Sequence, residues 1–428
     1  VHKLQTLFHS EGFRQSVFFT LGNLLAYGIS AVALLLISKH LGPVQFAEFW
    51  LAVAFMTILG KLETLGIPIA LQKLVGKVHT QHEHVQSVFF HSFILVLISC
   101  SIGTGLGALI GYALSLFLQL SSPELLIAAS CCAGVTALFE VLTTYHQATH
   151  CFSKAMSMLI LQSMGKLAIA TLFLLSVQMP LVVVFTLFYL MPLLSVGVGL
   201  LQVCSKKGLY RHINVQQFGK ILEIAPHATV MAVGIAVMDY LDVFFLKKYG
   251  SSVETGLYSG VSQFALGVSV IAQAVGSVLA ARVSRYHHWD DLSAYLKKVP
   301  FFFIAIGISF LLFIPISFPL VELTLGKSYT PAVPLLVGLI AAALLFAATL
   351  PLAAILYIED ERSDYFSVST GLMLCIQIVG GVLIIPRYGA SGAVVIRILS
   401  RVVVLVYSLV AVAGFLRRKY SAVRSNPS

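Results

Sequence analysis

Charge is what this chain has least of. Lys, Arg, Asp and Glu make up 10% of its 428 residues, where a soluble domain carries about 25%. Acids are scarcer than bases, 17 Asp and Glu against 27 Lys and Arg. Length alone would suggest about three soluble domains. The polar residues are too few to cover three such surfaces, because 58% of the chain is hydrophobic and the mean hydropathy is +0.95. The six cysteines form no C-x-x-C, and no Cys/His set has zinc spacing, so they read as buried thiols. No nucleophile–base set and no Gly-rich phosphate loop is present. The G-x-G-x-G of Gly103–Gly107 lies inside an apolar run, where it signals close helix packing. ATP hydrolysis by this chain is not expected. Phe13 to Ile37 is too long for the h-region of a signal peptide.

Long apolar runs are what the chain does have. Twelve are expected, over about 13–38, 45–70, 86–118, 124–146, 155–177, 180–203, 221–246, 255–281, 299–320, 332–357, 364–385 and 390–416. Each meets or nearly meets the ~20 residues needed to cross a bilayer as a helix. They are continuously apolar rather than alternating, which excludes a membrane barrel. The fold class predicted is all-α and polytopic. The third run, rich in glycine, is expected to be tilted or broken.

Basic residues fix the orientation. With the N-terminus inside, 18 of the 27 Lys and Arg fall in inner segments, five in outer loops and four within spans. This bias places both termini in the cytoplasm. It also explains the net charge of +10 without nucleic acid. The longest inner connection, Cys204 to Lys220, suggests two six-helix halves, 1–205 and 206–428. A weak repeat agrees: Ser38-Lys39-His40-Leu41-Gly42 with Phe49-Trp50, and Leu246-Lys247-Lys248-Tyr249-Gly250 with Leu257-Tyr258. In both, an apolar helix ends in a basic residue and a glycine suited to a C-cap. An even number of spans per half makes these parallel repeats.

Several stretches carry a resemblance. They are Gly22-Asn23, His40-Leu41-Gly42-Pro43-Val44-Gln45-Phe46, Glu63-Thr64-Leu65-Gly66-Ile67, Asp239-Tyr240-Leu241-Asp242 ahead of Gly256-Leu257-Tyr258-Ser259, and Pro386-Arg387-Tyr388-Gly389-Ala390-Ser391-Gly392-Ala393. Together they resemble the Wzx-type oligosaccharide flippases of the multidrug/oligosaccharidyl-lipid/polysaccharide exporter superfamily. The match covers most of the chain with loose motifs, and Glu48 departs from it where relatives often have glycine. The resemblance implies a V-shaped pair of six-helix bundles around a central cavity. It also implies alternating-access transport of undecaprenyl-diphosphate-linked sugars across the bacterial inner membrane.

The four cations within spans test that reading. An Arg or Lys at mid-bilayer costs about 2.5–3.5 kcal/mol, so each must snorkel, pair, or line a wet cavity. At about 1.5 Å per residue, Lys61 lies ~24 Å into span 2 and can snorkel. Arg397 lies ~10 Å into span 12. Arg401 and Lys166 are each ~17 Å deep, where snorkelling fails. Arg397 and Arg401 share a helix face, as do Gln162 and Lys166. Two readings stay open: interhelical salt bridges, or an electropositive cavity for a diphosphate, which paired Arg suits.

In span 4, Thr136, Glu140, Thr143, Thr144 and Gln147 form a polar stripe that should avoid lipid. Glu140, ~24 Å deep, could exchange a proton or pair with a Lys. Asp239 and Asp242 could anchor an outer gate to Lys247 or Lys248, though solvation is the plainer expectation. Glu63 could be an inner gate or interface charge. His91 and His227 read first as satisfied core histidines, with proton coupling the sharper alternative. His79, His82 and His84, and the run Glu359-Asp360-Glu361, read as solvated loops.

No cofactor is expected; coupling would be to a proton or sodium gradient. The partners implied are a lipid-linked sugar, membrane lipids and glycan-assembly proteins. One alternative is a multidrug or cation antiporter on the same fold, but span 1 lacks an acid, its polar groups being Asn23, Tyr27 and Ser30. A more remote alternative is a membrane glycan polymerase or ligase, which needs a long outer loop absent here.

Overall fold

The computed structural model describes residues 11–77, 82–175, 179–204, 215–283, 289–356 and 363–425. Among them every regular element is helical. The elements are α1 (Glu11–Glu63), α2 (Ile67–Lys77), α3 (His82–Phe117), α4 (Glu124–Ala148), α5 (Phe152–Leu175), α6 (Leu181–Cys204), α7 (Val215–Tyr249), α8 (Ser252–Val283), α9 (Trp289–Leu296), α10 (Val299–Thr324), a 3-10 turn (Lys327–Ala332), α11 (Val333–Leu356), α12 (Ser363–Leu383) and α13 (Ile385–Ser425). His79, Lys206, Lys207, Arg211 and the Glu359–Glu361 run lie outside the described residues, as do the side chains of His82 and His84.

Among the described residues, ten helices are long and apolar enough to cross a membrane. The longest is two spans, joined where Gly42 (φ 67°, ψ 174°) leaves helical geometry ahead of Pro43. Proline suits the first turn that follows, because its missing N–H would be unpaired there anyway. With the shorter apolar helix Val368–Leu383, every one of the twelve expected runs has its helix, and the protein is a multi-pass membrane protein. Two local features refine the expectations. The third run is one unbroken helix of 36 residues, and Gly103, Gly107 and Gly111 serve close contact: a methyl at Gly107 would meet Leu59 at 2.4 Å. Gly250, the repeat counterpart of Gly42, directly follows the last residue of α7, as a C-cap glycine should, without the positive φ of Gly42. Its N–H simply extends the helix to the Leu246 carbonyl at 2.8 Å.

By packing, the chain forms two compact units. The first holds 1–41 and 48–237, the second 42–47 and 238–428. The boundary thus falls inside α7 rather than at the loop after span 6. Ile221 and Ala225 of α7 explain why, since they belong to the core of the first unit with Ile67, Leu71, Val96 and Met158. Met238, by contrast, packs with Met373 and Val404.

Burial ranks the helices within each unit. In the first, 61% of the apolar window of α4 is buried. In the second, the figure is 72% for α11 but only 6% for the window ending in α10. A central helix in lipid is the one place where polar side chains can avoid hydrocarbon, and α4 carries the polar stripe.

The break between α1 and α2 is tightly specified. Leu65 and Gly66 take positive φ of 50° and 63° in succession, a conformation costly for any residue but glycine. A Cβ at Gly66 would lie 2.6 Å from both the Ala225 carbonyl and the Thr229 nitrogen of α7. Gly66→Ala should therefore destabilise by more than about 1 kcal/mol, read as a lower melting temperature of the purified protein. Gly105→Ala, where nothing lies within 4 Å, should be neutral or slightly stabilising. Equal losses at both positions would contradict this packing.

Candidate functional site

The first unit encloses a cavity of about 510 Å³ within its membrane-spanning helices. All five residues of the α4 stripe line it: Thr136, Glu140, Thr143, Thr144 and Gln147. Opposite them stand Asn23, Tyr27, Thr57 and Lys61 of α1, with Gln72 of α2. Helical spacing on α4 puts residues three and four apart on one face, which aligns the stripe as one wall. The volume falls among the roughly 300–1,000 Å³ of small-molecule sites.

One ion pair crosses the cavity. Lys61 Nζ donates to both oxygens of Glu140 at 2.8 and 2.7 Å, with the side chains 33% and 37% exposed. Lys61 is thus paired rather than snorkelling alone, and Glu140 takes the Lys-pairing alternative. Around the pair the lining is hydroxyl, amide and phenol. Thr57 donates to the Val53 carbonyl at 2.7 Å, Thr136 to that of Cys132 at 2.8 Å, and Thr143 to that of Phe139 at 2.9 Å.

The other candidates lie elsewhere. Lys166 and Gln162 are not among the residues lining this cavity. The Lys166 ammonium sits over the rings of Phe188 and Tyr189, 5.5 and 5.2 Å from their centroids, an arrangement that compensates a desolvated cation. Gln162 has a buried Oε1 without a hydrogen-bond partner among the described residues.

Arg397 and Arg401 belong to the second unit. Arg397 bonds Asp242 at 2.8 Å, with the side chains 9% and 11% exposed, and donates to the Asp239 carbonyl at 2.6 Å. The buried Tyr258 hydroxyl donates to the same Asp242 carboxylate. The space beside this network is about 10 Å³, barely room for one water. Arg397 therefore takes the salt-bridge alternative, and the expected solvation of Asp242 is overturned. Asp239, three residues earlier, contributes its carbonyl and is half-buried. Arg401 lies over the Phe346 ring at 4.7 Å and contacts the Met373 sulfur at 3.3 Å.

Glu63 is 1% exposed. Its carboxylate lies beside Thr104 of α3 and Gly134 of α4. It is wedged against α3, where a Cβ at Gly103 would meet its Cγ at 2.6 Å. His91 is a satisfied core histidine, as expected: its Nδ1 lies 2.6 Å from the Ser87 carbonyl and its ring packs edge-on against Phe218. His227 is exposed instead, and α7 runs through the preceding Pro226 as one helix. Glu48, the departure from the family pattern, is buried and accepts both the backbone N–H and the hydroxyl of Ser121, at 3.0 and 2.6 Å. It thereby ties the turn between α3 and α4 to α1.

Thr57 and Gln72 were not candidates in the sequence reading. Gln72 lies beyond the break at Gly66, so no continuous helical face connects it to the stripe on α4. Thr57 stands one turn before Lys61, a spacing that could have flagged it.

Comparison with known proteins fits this architecture. The family model described as "Polysaccharide biosynthesis protein" matches residues 13–287. A multidrug resistance MATE family transporter of the MOP superfamily, in an inward-facing conformation, aligns at TM-score 0.72 and 16% identity, covering 92% of this chain and 96% of that one. The lipid II flippase MurJ, in an inward closed conformation, aligns at TM-score 0.73 and 14% identity, covering 93% and 87%. An outward-facing MATE structure covers 98% of both chains at TM-score 0.61 and 14% identity. Among curated proteins, none matches the sequence. The chain shares its fold with those transporters and with that flippase, and because the family model spans well over half the sequence, the chain belongs to the family described as polysaccharide biosynthesis protein.

Proposed function

We propose that this protein translocates a lipid-linked oligosaccharide, carried on undecaprenyl diphosphate, across the bacterial inner membrane by alternating access. The observation that carries this reading is the polar cavity on the central helix of the first unit. A sugar head cannot cross hydrocarbon unaided, because each buried hydroxyl without a partner costs free energy. A wall of hydroxyls and amides inside the membrane supplies those partners. The family match and the likeness to a lipid II flippase support the same class of cargo.

In this proposal both termini are cytoplasmic, and the two six-helix halves rock against each other. Net movement is driven by a proton or sodium gradient, or by consumption of the cargo outside. Glu63 is the buried acid best placed to carry a proton, since it is 1% exposed and no cation pairs with it among the described residues, whereas Glu140 and Asp242 are committed to Lys61 and Arg397. A cationic-drug antiporter is less well supported, because the acid lining the cavity is already neutralised by Lys61.

The test uses the full chain in proteoliposomes with a fluorescent polyprenyl-diphosphate oligosaccharide. Protein-dependent loss of protection from an external glycosidase or quencher is the expected result. Loss of the protein in cells should leave the lipid-linked sugar on the inner leaflet. Export of cationic dyes, with no movement of the lipid-linked sugar, would replace this reading with the antiporter.

A further inference from the structure

We infer that the second unit binds one structural water between α7, α12 and α13, held by Asp242, Gln377 and Arg397, and that this site takes no ion. The site would be there whatever cargo the protein moves. Three buried polar atoms on the residues around one small space define it.

Those residues come to a similar depth on three helices. At about 1.5 Å per residue, Asp242 lies ~10 Å before the end of α7 at Tyr249, Gln377 ~9 Å before the end of α12 at Leu383, and Arg397 ~12 Å beyond the Gly389 kink of α13. Together with Ile385, Ala393 and Ile396 they line a space of about 10 Å³. The ion pair satisfies only part of each charged group. Its bond at 2.8 Å runs from Arg397 Nη2 to Asp242 Oδ2, and the Tyr258 hydroxyl donates to that same oxygen. Asp242 Oδ1, Arg397 Nε and Gln377 Oε1 are buried and have no hydrogen-bond partner among the described residues.

Two acceptor oxygens and one N–H are the complement of a water molecule. Water gives one proton to Oδ1 and the other to Oε1, and accepts a bond from Nε–H on a lone pair. That makes three bonds, the usual number for a buried water, and the volume is about that of the single sphere such a site requires. A sodium ion here would sit against the guanidinium that already neutralises Asp242. An anion would sit against a carboxylate oxygen and an amide oxygen. In a dry site each of the three groups would lose its hydration with nothing to replace it. Asp242 is therefore not a sodium ligand, and a sodium-driven cycle would need to bind its ion elsewhere.

Radiolytic hydroxyl labelling of the full chain in nanodiscs, read by mass spectrometry, tests the site. An X-ray pulse splits a bound water where it stands, and the radical oxidises the nearest side chains. Ile385 and Ile396 are 1% and 3% exposed, so radicals from bulk water do not reach them. Both should be oxidised severalfold faster than Ile340 and Ile355 of α11, which are buried to 2% and 0% exposure and do not line this space. Ala393→Leu puts a larger side chain into the space and should lower both rates to those of the α11 controls. Gln377→Met removes one acceptor and should slow the labelling; it decides the matter if the leucine variant does not fold. A density map that resolves waters should show one peak within hydrogen-bond distance of all three atoms. Oxidation of Ile385 and Ile396 no faster than the controls, unchanged oxidation in either folded variant, or a peak that misses any of the three atoms would overturn the inference. So would a melting temperature that rises with sodium but not with choline in the wild type and does not do so in Asp242→Asn, because that is the mark of a cation site.

Discussion

Arg397→Met should cost the protein most of its stability. The guanidinium is held by the Asp242 carboxylate and the Asp239 carbonyl with only 9% of its side chain exposed. Removing it leaves Asp242 buried with the Tyr258 hydroxyl as its remaining named partner. Breaking one member of a buried pair typically costs about 3–5 kcal/mol, a large part of a total of roughly 5–15 kcal/mol. The expected result is a sharp drop in purified yield and in melting temperature. Arg397→Met combined with Asp242→Asn should recover much of the loss, because no charge then remains unpaired. A single variant that melts like the wild type would show that the pair is dispensable. A double variant worse than the single would show that the two residues do not act as a pair.

Gly256→Ala should be nearly as damaging, for a steric reason. A Cβ at Gly256 would lie 1.7 Å from the Pro43 carbonyl oxygen and 2.4 Å from its carbon. Those are backbone atoms at the turn between the first two spans, so no rotamer change relieves the clash. Overpacking of a tight contact commonly costs about 1–3 kcal/mol and occasionally more, and this contact is far inside van der Waals range. Thermal unfolding in detergent should show a large loss for Gly256→Ala. Gly267→Ala, on the same helix with nothing within 4 Å, should show none. Comparable behaviour of the two variants would contradict the seating of the turn on α8.

Much of the fold was legible because membrane helices announce themselves by length and composition. Each expected run has its helix, and Gly42 does end the first span as its sequence suggested. The joints were less legible. Leu65 gives no local sign of a left-handed backbone, since only the clash of Gly66 with α7 fixes the break there. Pairings were more accessible than spacing alone suggested. Lys61 and Glu140 come out at the same depth, ~24 Å, in two spans that run in the same direction. Arg397 and the Asp239–Asp242 pair both fall near the outer end of their spans. Matching charges by depth, rather than by helical face, would have found both ion pairs. The aromatic partners of Lys166 and Arg401 could not be found this way, because aromatic residues recur throughout the chain and carry no sign to match.

The short turn 42–47 packs with the second unit, although the chain on either side of it belongs to the first. Its seat on Gly256 is made more than two hundred residues later. At about 5–20 residues per second of synthesis, that is a delay of roughly 10–40 s. During this interval the first two spans have been made while the glycine groove that receives their turn does not yet exist. A chain stopped before α8 would leave the Pro43 turn without its cover and present it to whatever surveys unfinished membrane proteins. That turn can take its seat only once α8 has been made.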